Sequence, residues 1–125
     1  MTLGPATIAY VEASALQPIA PTIEGFLESL QQPTWIHIKG RDSGRCRVVT
    51  TLLHGNEPSG VIALHRWLLE EAIPETDIHC LVASVSAALQ EPLFSTRMLP
   101  GQRDLNRCFR PPFDDEQGRL AAEIL

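Results

Sequence analysis

The sequence predicts an α/β fold in which a small mixed sheet is flanked by helices. Two apolar runs, residues 47–53 and 78–85, have the length and the two-faced apolar composition of buried strands. Between them, residues 58–72 carry apolar side chains at helical spacing. A strand–helix–strand unit of this kind is expected to pair its strands in parallel through a right-handed crossover.

A second pairing is predicted upstream of that unit. Residues 35–39 alternate with period two, and the turn-forming residues 40–44 separate them from 47–53. We therefore expect an antiparallel hairpin, and its second strand should be central because its end is apolar on both faces. The predicted sheet consists of this hairpin and the parallel strand–helix–strand unit.

The remaining elements follow from capping residues and periodicity. Residues 1–20 are small, apolar and without a clear period, which indicates an irregular or extended lead-in. Thr22 is a suitable cap for a helix over 23–30. Residues 87–114 lack periodicity and form a long loop, a kind of segment that is usually functional. A last helix begins at about 114–116.

Composition excludes several classes of partner. The 125 residues carry ten Lys+Arg against fifteen Asp+Glu, a formal charge of -5, which argues against nucleic-acid and anionic-membrane surfaces. No apolar stretch approaches the roughly 18 residues of a membrane span. The N-terminus lacks a basic region, and Glu12 falls where the apolar core of a signal peptide would lie. Three cysteines without a C-x-x-C pair suit reduced thiols, so we expect a cytoplasmic protein.

A first candidate site lies where the second predicted strand gives way to a helix. His54 and Glu57 stand three apart in this turn, and imidazole and carboxylate are both zinc ligands. Ligand sites in open α/β sheets form at the carboxyl ends of strands. The alternative is structural: His54 hydrogen-bonds within the turn, and Glu57 favours the positive end of the helix dipole.

A second candidate site lies in the long loop, where four arginines make a positive island in an acidic protein. Guanidinium groups bind carboxylates bidentately, so the cluster predicts a pocket for an anionic small molecule. The alternative is a solvated loop whose arginines pair with the acidic residues 114–116. The cluster comprises Arg97, Arg103, Asp104, Asn106, Arg107 and Arg110.

Together the two clusters resemble the succinylglutamate desuccinylase/aspartoacylase family, relatives of the zinc carboxypeptidases. The resemblance lies in L-L-H-G-N-E-P-S-G, residues 52–60, and R-D-L-N-R-C-F, residues 103–109. It implies a partial zinc-carboxypeptidase-like fold and a zinc cofactor held first by His54 and Glu57. It also implies hydrolysis of the amide of an N-acyl amino acid.

The resemblance further implies roles for the second motif. Asn106 and Arg107 would hold the carboxylate of the substrate. The Thr96-Arg97 pair is similar to a T-R pair of the family whose arginine polarises the scissile carbonyl, which implies a catalytic Arg97. Because the gap from Arg97 to Asn106 is about two residues longer than usual, Arg103 is a rival for that role.

The family also has a third zinc ligand, a histidine, and a glutamate general base, and both are expected beyond Leu125. We expect structural or exposed roles for His37, His65 and His79. The chain, residues 1–125, is therefore expected to be a single domain that forms the N-terminal portion of a larger catalytic domain, inactive alone.

Two other functions compete with this hypothesis. One is a non-catalytic α/β module that binds a carboxylate ligand or a partner chain, and an open sheet edge makes a homo-oligomer possible. The other is a metallophosphoesterase, suggested by Gly55-Asn56-Glu57. It fails because the histidine precedes the glycine and no aspartate-rich G-D motif accompanies it.

Overall fold

A computed structural model describes residues 8–125, and it contains one four-stranded mixed sheet. The strands are β1 (Ala9–Glu12), β2 (Thr34–Ile38), β3 (Asp42–Thr51) and β4 (Thr76–Val82). The α-helices are α1 (Ile23–Leu30), α2 (Ser59–Glu70), α3 (Val85–Ala88) and α4 (Glu116–Ile124). The predicted α/β class with a small mixed sheet is confirmed.

The strand order is β1-β2-β4-β3, so the predicted hairpin is wrong. Strand β4 lies between the two predicted hairpin strands, antiparallel to β2 and parallel to β3. The connection after β2 hydrogen-bonds to the segment before β4 instead of closing a tight turn: the amides of Arg41 and Asp42 donate to the carbonyls of Pro74 and Glu75. The parallel pairing of β3 and β4 around α2 is confirmed.

Strand β3 is an edge strand within the described part of the chain, which corrects the prediction that it is central. Its exposed side chains include Val48, 63% accessible, and Val49, 43% accessible. The central position belongs to β4, whose Leu81 and Val82 are fully buried. Both strands are apolar on two faces, so their composition could not decide which of them is covered on both sides.

The lead-in predicted over residues 1–20 contains regular structure. Strand β1 pairs in parallel with β2, with Ala9 opposite Thr34 and Glu12 opposite His37. A 3-10 turn over Ala13–Leu16 follows it. Residues 1–7 lie outside the described range. Four residues are too few for a periodic signal, and the pairing depends on a neighbouring strand rather than on local sequence.

Helices α1, α2 and α4 follow their sequence signals closely, whereas α3 was not predicted: the chain leaves the sheet after Val82, and Val85, the last residue of the predicted strand, begins this short helix. Helix α1 has the predicted bounds, and the Thr22 side chain accepts a 3.0 Å hydrogen bond from the Gly25 amide. Asp115 caps α4 in the same way through the Gly118 amide, at 2.7 Å. No helix in residues 8–125 has both the length and the apolar character needed to cross a membrane.

Two apolar clusters cover opposite faces of the sheet. Alternate residues of β2 and β4, such as Ile36 and Val82, pack with α1 and α2. The residues between them, including Leu81, pack with α4 and with the 3-10 turn Leu105–Arg107. The long loop that contains this turn is thereby fixed against the sheet. This packing brings the second motif, residues 103–109, next to the turn that follows β3.

Candidate metal and substrate site

His54 lies in the turn that links the end of β3 to α2, with only 2% of its surface exposed. The residue two before it, Leu52, is also buried and has a left-handed backbone, with φ 55°. That conformation costs a non-glycine residue roughly 1–2 kcal/mol. The turn is therefore held by its surroundings rather than by local preference.

The His54 imidazole lies between two carboxylates. Its Nδ1 is 2.9 Å from Oε2 of Glu57, and its Nε2 is 2.6 Å from Oδ1 of Asp104. A neutral ring carries one N–H, so only the protonated ring donates to both carboxylates at once. The His54–Glu57 contact brings together the two residues that the first motif singled out.

Asp104 connects both motifs, and sequence analysis assigned it no role. Its Oδ1 accepts from His54 and from the Asn106 amide, and its Oδ2 accepts from Arg97 at 3.1 Å. The hydrogen bond from His54, followed by that from Arg97, holds the pKa of Asp104 far below its usual range. The available signal was its place two residues before Asn106: an aspartate that caps a turn has its carboxylate held at a fixed position, from which it can also accept other donors.

The pKa values of His54 and Glu57 reflect the same hydrogen bonds. Burial lowers the pKa of His54, but the hydrogen bonds to Asp104 and Glu57 together outweigh burial, and the net shift is upward. The hydrogen bond from His54 lowers the pKa of Glu57, whose side chain is 51% exposed. The pair is thus a buried imidazole with one carboxylate open to solvent.

Gly55 allows the turn to pack closely against the long loop. A Cβ atom at this position would lie 2.2 Å from the carbonyl oxygen of Thr96 and 2.7 Å from the Cβ of Ala87. The Gly55 amide donates to the Arg97 carbonyl at 2.7 Å. This contact places the Thr96-Arg97 pair beside His54.

The two rival arginines occupy different surroundings. Arg97 is half-exposed and reaches Asp104. Arg103 instead binds both oxygens of Asp115, at 2.5 and 2.7 Å, and donates to the carbonyl of Pro112. That pairing with Asp115 is the alternative considered for the loop arginines, and it raises the pKa of Arg103.

Asn106 and Arg107 are exposed and line an open cavity of about 240 Å³ together with Phe109 and Arg110. His54 and Glu57 do not line this cavity. It is joined to them through Asp104, whose Oδ1 contacts both His54 and the Asn106 amide. The cavity has the positive character that a carboxylate would require.

His54 and Glu57 supply donor atoms that suit zinc. Two ligand atoms about 2.1 Å from a tetrahedral zinc ion lie roughly 3.4 Å apart, about 0.5 Å more than the 2.9 Å hydrogen-bond distance between Nδ1 of His54 and Oε2 of Glu57, so a small separation of the two side chains would admit the ion. The opposite ring nitrogen donates to Asp104, the arrangement that fixes zinc-binding histidines in many sites. Two ligands therefore fit. Among residues 8–125, no group of three or more His, Cys, Asp or Glu is arranged to hold a metal ion.

The other histidines lie apart from this site. His65 of α2 is buried, and its Nε2 contacts the carbonyl of Ala20 at 2.7 Å. His37 and His79 stack on the sheet, with ring centroids 4.7 Å apart. The three cysteines are unpaired.

The family model of the succinylglutamate desuccinylase/aspartoacylase catalytic domain matches residues 44–124, more than half of the chain. The chain therefore belongs to this family, a class of hydrolase catalytic domains, and the resemblance seen in its two motifs is confirmed. Comparisons with curated proteins and with solved structures gave no significant match.

Proposed function

We propose that this catalytic domain is a zinc-dependent hydrolase that cleaves the amide of an N-acyl amino acid. The observation that carries the proposal is His54, held with Nδ1 toward Glu57 and Nε2 toward Asp104. A buried imidazole with one nitrogen already bonded to a carboxylate is prepared to bind a metal through the other. The family membership supports the same chemistry.

Each residue has a defined task in this proposal. When bound, zinc polarises a carbonyl and lowers the pKa of water. Asp104 holds the His54 ring in one orientation, and Glu57 offers a carboxylate from the open side of the turn. Arg97, half-exposed beside Asp104, can donate to an oxyanion, for which one donor is worth on the order of 3 kcal/mol.

The second motif binds the substrate in this proposal. Asn106 and Arg107 line a cavity in which a guanidinium fork can hold the amino acid's carboxylate. The partner is therefore a small anionic N-acyl amino acid rather than a nucleic acid or a membrane. The acidic charge and the three unpaired cysteines support a cytoplasmic location.

A non-catalytic module that binds a carboxylate is the second candidate. Its support is that no group of three or more His, Cys, Asp or Glu in residues 8–125 is arranged to hold a metal ion. Such a module would retain the arginine cavity and would not require zinc. A measurement of zinc binding therefore distinguishes the zinc-dependent hydrolase from the non-catalytic module.

The decisive experiment is a calorimetric zinc titration of the chain beside His54→Ala, Glu57→Ala and the control His79→Ala. We expect zinc binding that both site variants weaken at least tenfold and that the control retains. Because two protein ligands are fewer than the three of a typical catalytic site, we expect no turnover of N-acetyl-aspartate or N-succinyl-glutamate by this chain alone. Zinc binding unaffected by either site variant would refute the proposed metal site.

A further inference from the structure

We propose that Ser84 is a positioning residue that holds the backbone of Leu52 and Leu53 and thereby aims the His54 ring. The inference rests on the proposed zinc-binding role of His54. Ser84 contacts neither carboxylate partner of that ring, so its effect passes entirely through the turn.

The segment that Ser84 holds is strained. Leu52 is a bulky residue, 3% exposed, in the left-handed region at φ 55°. A residue of this kind leaves that region unless neighbouring contacts prevent it. The residues that hold Leu52 in place therefore decide where His54, two positions later, is directed.

Ser84 supplies two of those contacts. Its amide donates to the Leu52 carbonyl at 2.8 Å, and its hydroxyl donates to the Leu53 carbonyl at 2.8 Å. The preceding Ala83 amide donates to the Thr51 carbonyl at 3.2 Å. Ala83 and Ser84 thus hold the three consecutive carbonyls of residues 51–53. The carbonyl of Leu53 is held by the Ser84 side chain, because the backbone has turned away from the strand direction there.

The hydroxyl of Ser84 is diverted from its usual task. Ser84 precedes α3 at the N-cap position, where a serine oxygen typically accepts from an amide of the first turn. The Ser84 side chain makes no such cap bond, and its hydroxyl donates to Leu53 instead. The Ser84 side chain therefore stabilises the turn before His54 rather than the N-terminus of α3.

The link to the His54 ring is the peptide plane between Leu53 and His54. A hydrogen bond to the Leu53 carbonyl restricts rotation of that plane, which sets the direction of the Cα–Cβ bond of His54. The ring must reach Glu57 on one side and Asp104 on the other, at 2.9 and 2.6 Å. A small rotation would lengthen at least one of these contacts.

The test compares Ser84→Ala, Ser84→Cys and Ser84→Thr with Ser86→Ala, which removes an exposed hydroxyl from the same helix. The first readout needs no metal: the NMR signal of the His54 Nε2 proton in the hydrogen bond to Asp104. We expect this downfield signal in the wild type, Ser84→Thr and Ser86→Ala, and expect it shifted or broadened in Ser84→Ala. Ser84→Cys, with a weak thiol donor, should lie between.

The second readout is zinc affinity, expected to fall about tenfold in Ser84→Ala and less than threefold in Ser84→Thr. If Ser84→Ala does not fold, the comparison of Ser84→Thr with Ser84→Cys decides. An unchanged Nε2 signal in folded Ser84→Ala, or equal signals in the Thr and Cys variants, would overturn the inference. Absence of zinc binding in the wild type would refute the proposed function, while the NMR comparison would still decide the role of Ser84.

Discussion

His54 and Asp104 are fifty residues apart in the chain, and Nε2 of His54 lies 2.6 Å from Oδ1 of Asp104. This contact joins the turn after β3 to the long loop. It also determines which nitrogen of the histidine faces Glu57. The two motifs of the family are therefore joined, because the second supplies the carboxylate that orients His54 of the first, the proposed metal ligand.

Asp104→Asn should weaken zinc binding by about 10- to 100-fold, the range typical for a lost partner of a metal-binding histidine. The amide keeps the shape of the side chain but removes the charge that favours the Nε2–H form. Calorimetric titration of the variant against Asp114→Asn, an exposed neighbour, measures the effect. Equal affinities for the two variants would contradict the orienting role of Asp104.

Arg103→Ala should lower the melting temperature because it removes the two contacts to Asp115, the residue that caps α4. Zinc affinity should stay within twofold of the wild type, since Arg103 does not contact His54 or its partners in the described residues. Arg97→Ala should do the opposite and affect the site more than the melting temperature, because Arg97 binds Asp104. Thermal melts and zinc titrations of both variants test this division, and a reversed pattern would assign the site role to Arg103.

Gly55→Ala should destabilise the fold by several kcal/mol, the range of overpacking and strain in a tight site. The new methyl would lie 2.2 Å from the Thr96 carbonyl oxygen, and backbone must move to accommodate it. Gly101→Ala is the matched control: nothing lies within 4 Å of its added Cβ, although its φ of +82° disfavours alanine. Urea unfolding should place the loss for the control at about 1–2 kcal/mol, and a smaller loss for Gly55→Ala than for Gly101→Ala would contradict close packing at the turn.

Arg107→Ala should weaken binding of an N-acyl amino acid by at least tenfold if its guanidinium holds the substrate carboxylate. The measurement is calorimetry with N-acetyl-aspartate, beside Arg66→Ala on the exposed surface of α2 as control. Unchanged affinity in Arg107→Ala would remove Arg107 from the substrate site. The same assay with N-acetyl-aspartate esterified at both carboxylates should show no difference between the variants.

A pH-dependent contribution to stability is expected from His37, which lies between Glu12 of β1 and Asp77 of β4. Its Nδ1 is 2.7 Å from Glu12, and its Nε2 is 2.8 Å from Asp77. The hydrogen bond to Asp77, followed by that to Glu12, outweighs burial and raises the pKa of His37. Tyr10 and the stacked ring of His79 are the other titratable groups beside it.

The sign of this effect follows from the raised pKa. The folded state binds the proton more tightly than the unfolded state, so the stabilisation is complete below the unfolded pKa of about 6.5 and is lost as pH rises through the folded pKa. The melting temperature of the wild type should therefore exceed that of His37→Gln most at pH 6 and least above pH 8. Thermal melts across this range measure the difference, and a difference that grows with pH would contradict the mechanism.

At the acidic end Asp77 acts in the opposite direction. The Gly40 amide, followed by His37, lowers the pKa of Asp77 to about 2. Its contribution should be present above the ordinary carboxyl pKa and lost as pH falls toward 2. Glu12→Gln should remove part of the His37 dependence and leave the Asp77 dependence in place.

Several features were predictable because their causes are local. Thr22 caps α1 from three residues before Gly25, and the helical spacing of 23–30 determined its bounds. The meeting of His54 with Glu57 follows from three residues of separation in one turn. Asp104 was missed because its role depends on a side chain fifty residues away. The different surroundings of Arg97 and Arg103 likewise depend on Asp115, which binds Arg103 and caps a helix formed later in the chain.

The sequence by itself determined helices α1, α2 and α4, the two family motifs and the parallel unit around α2, since capping, periodicity and short-range hydrogen bonds act within a few residues. Only the tertiary structure decided that β4 separates β2 from β3, that β1 joins the sheet, and that Asp104 orients His54. These relationships depend on which backbone groups and apolar faces find partners far along the chain. Similar strands compete for the same neighbours, and the competition is settled by packing of the whole fold.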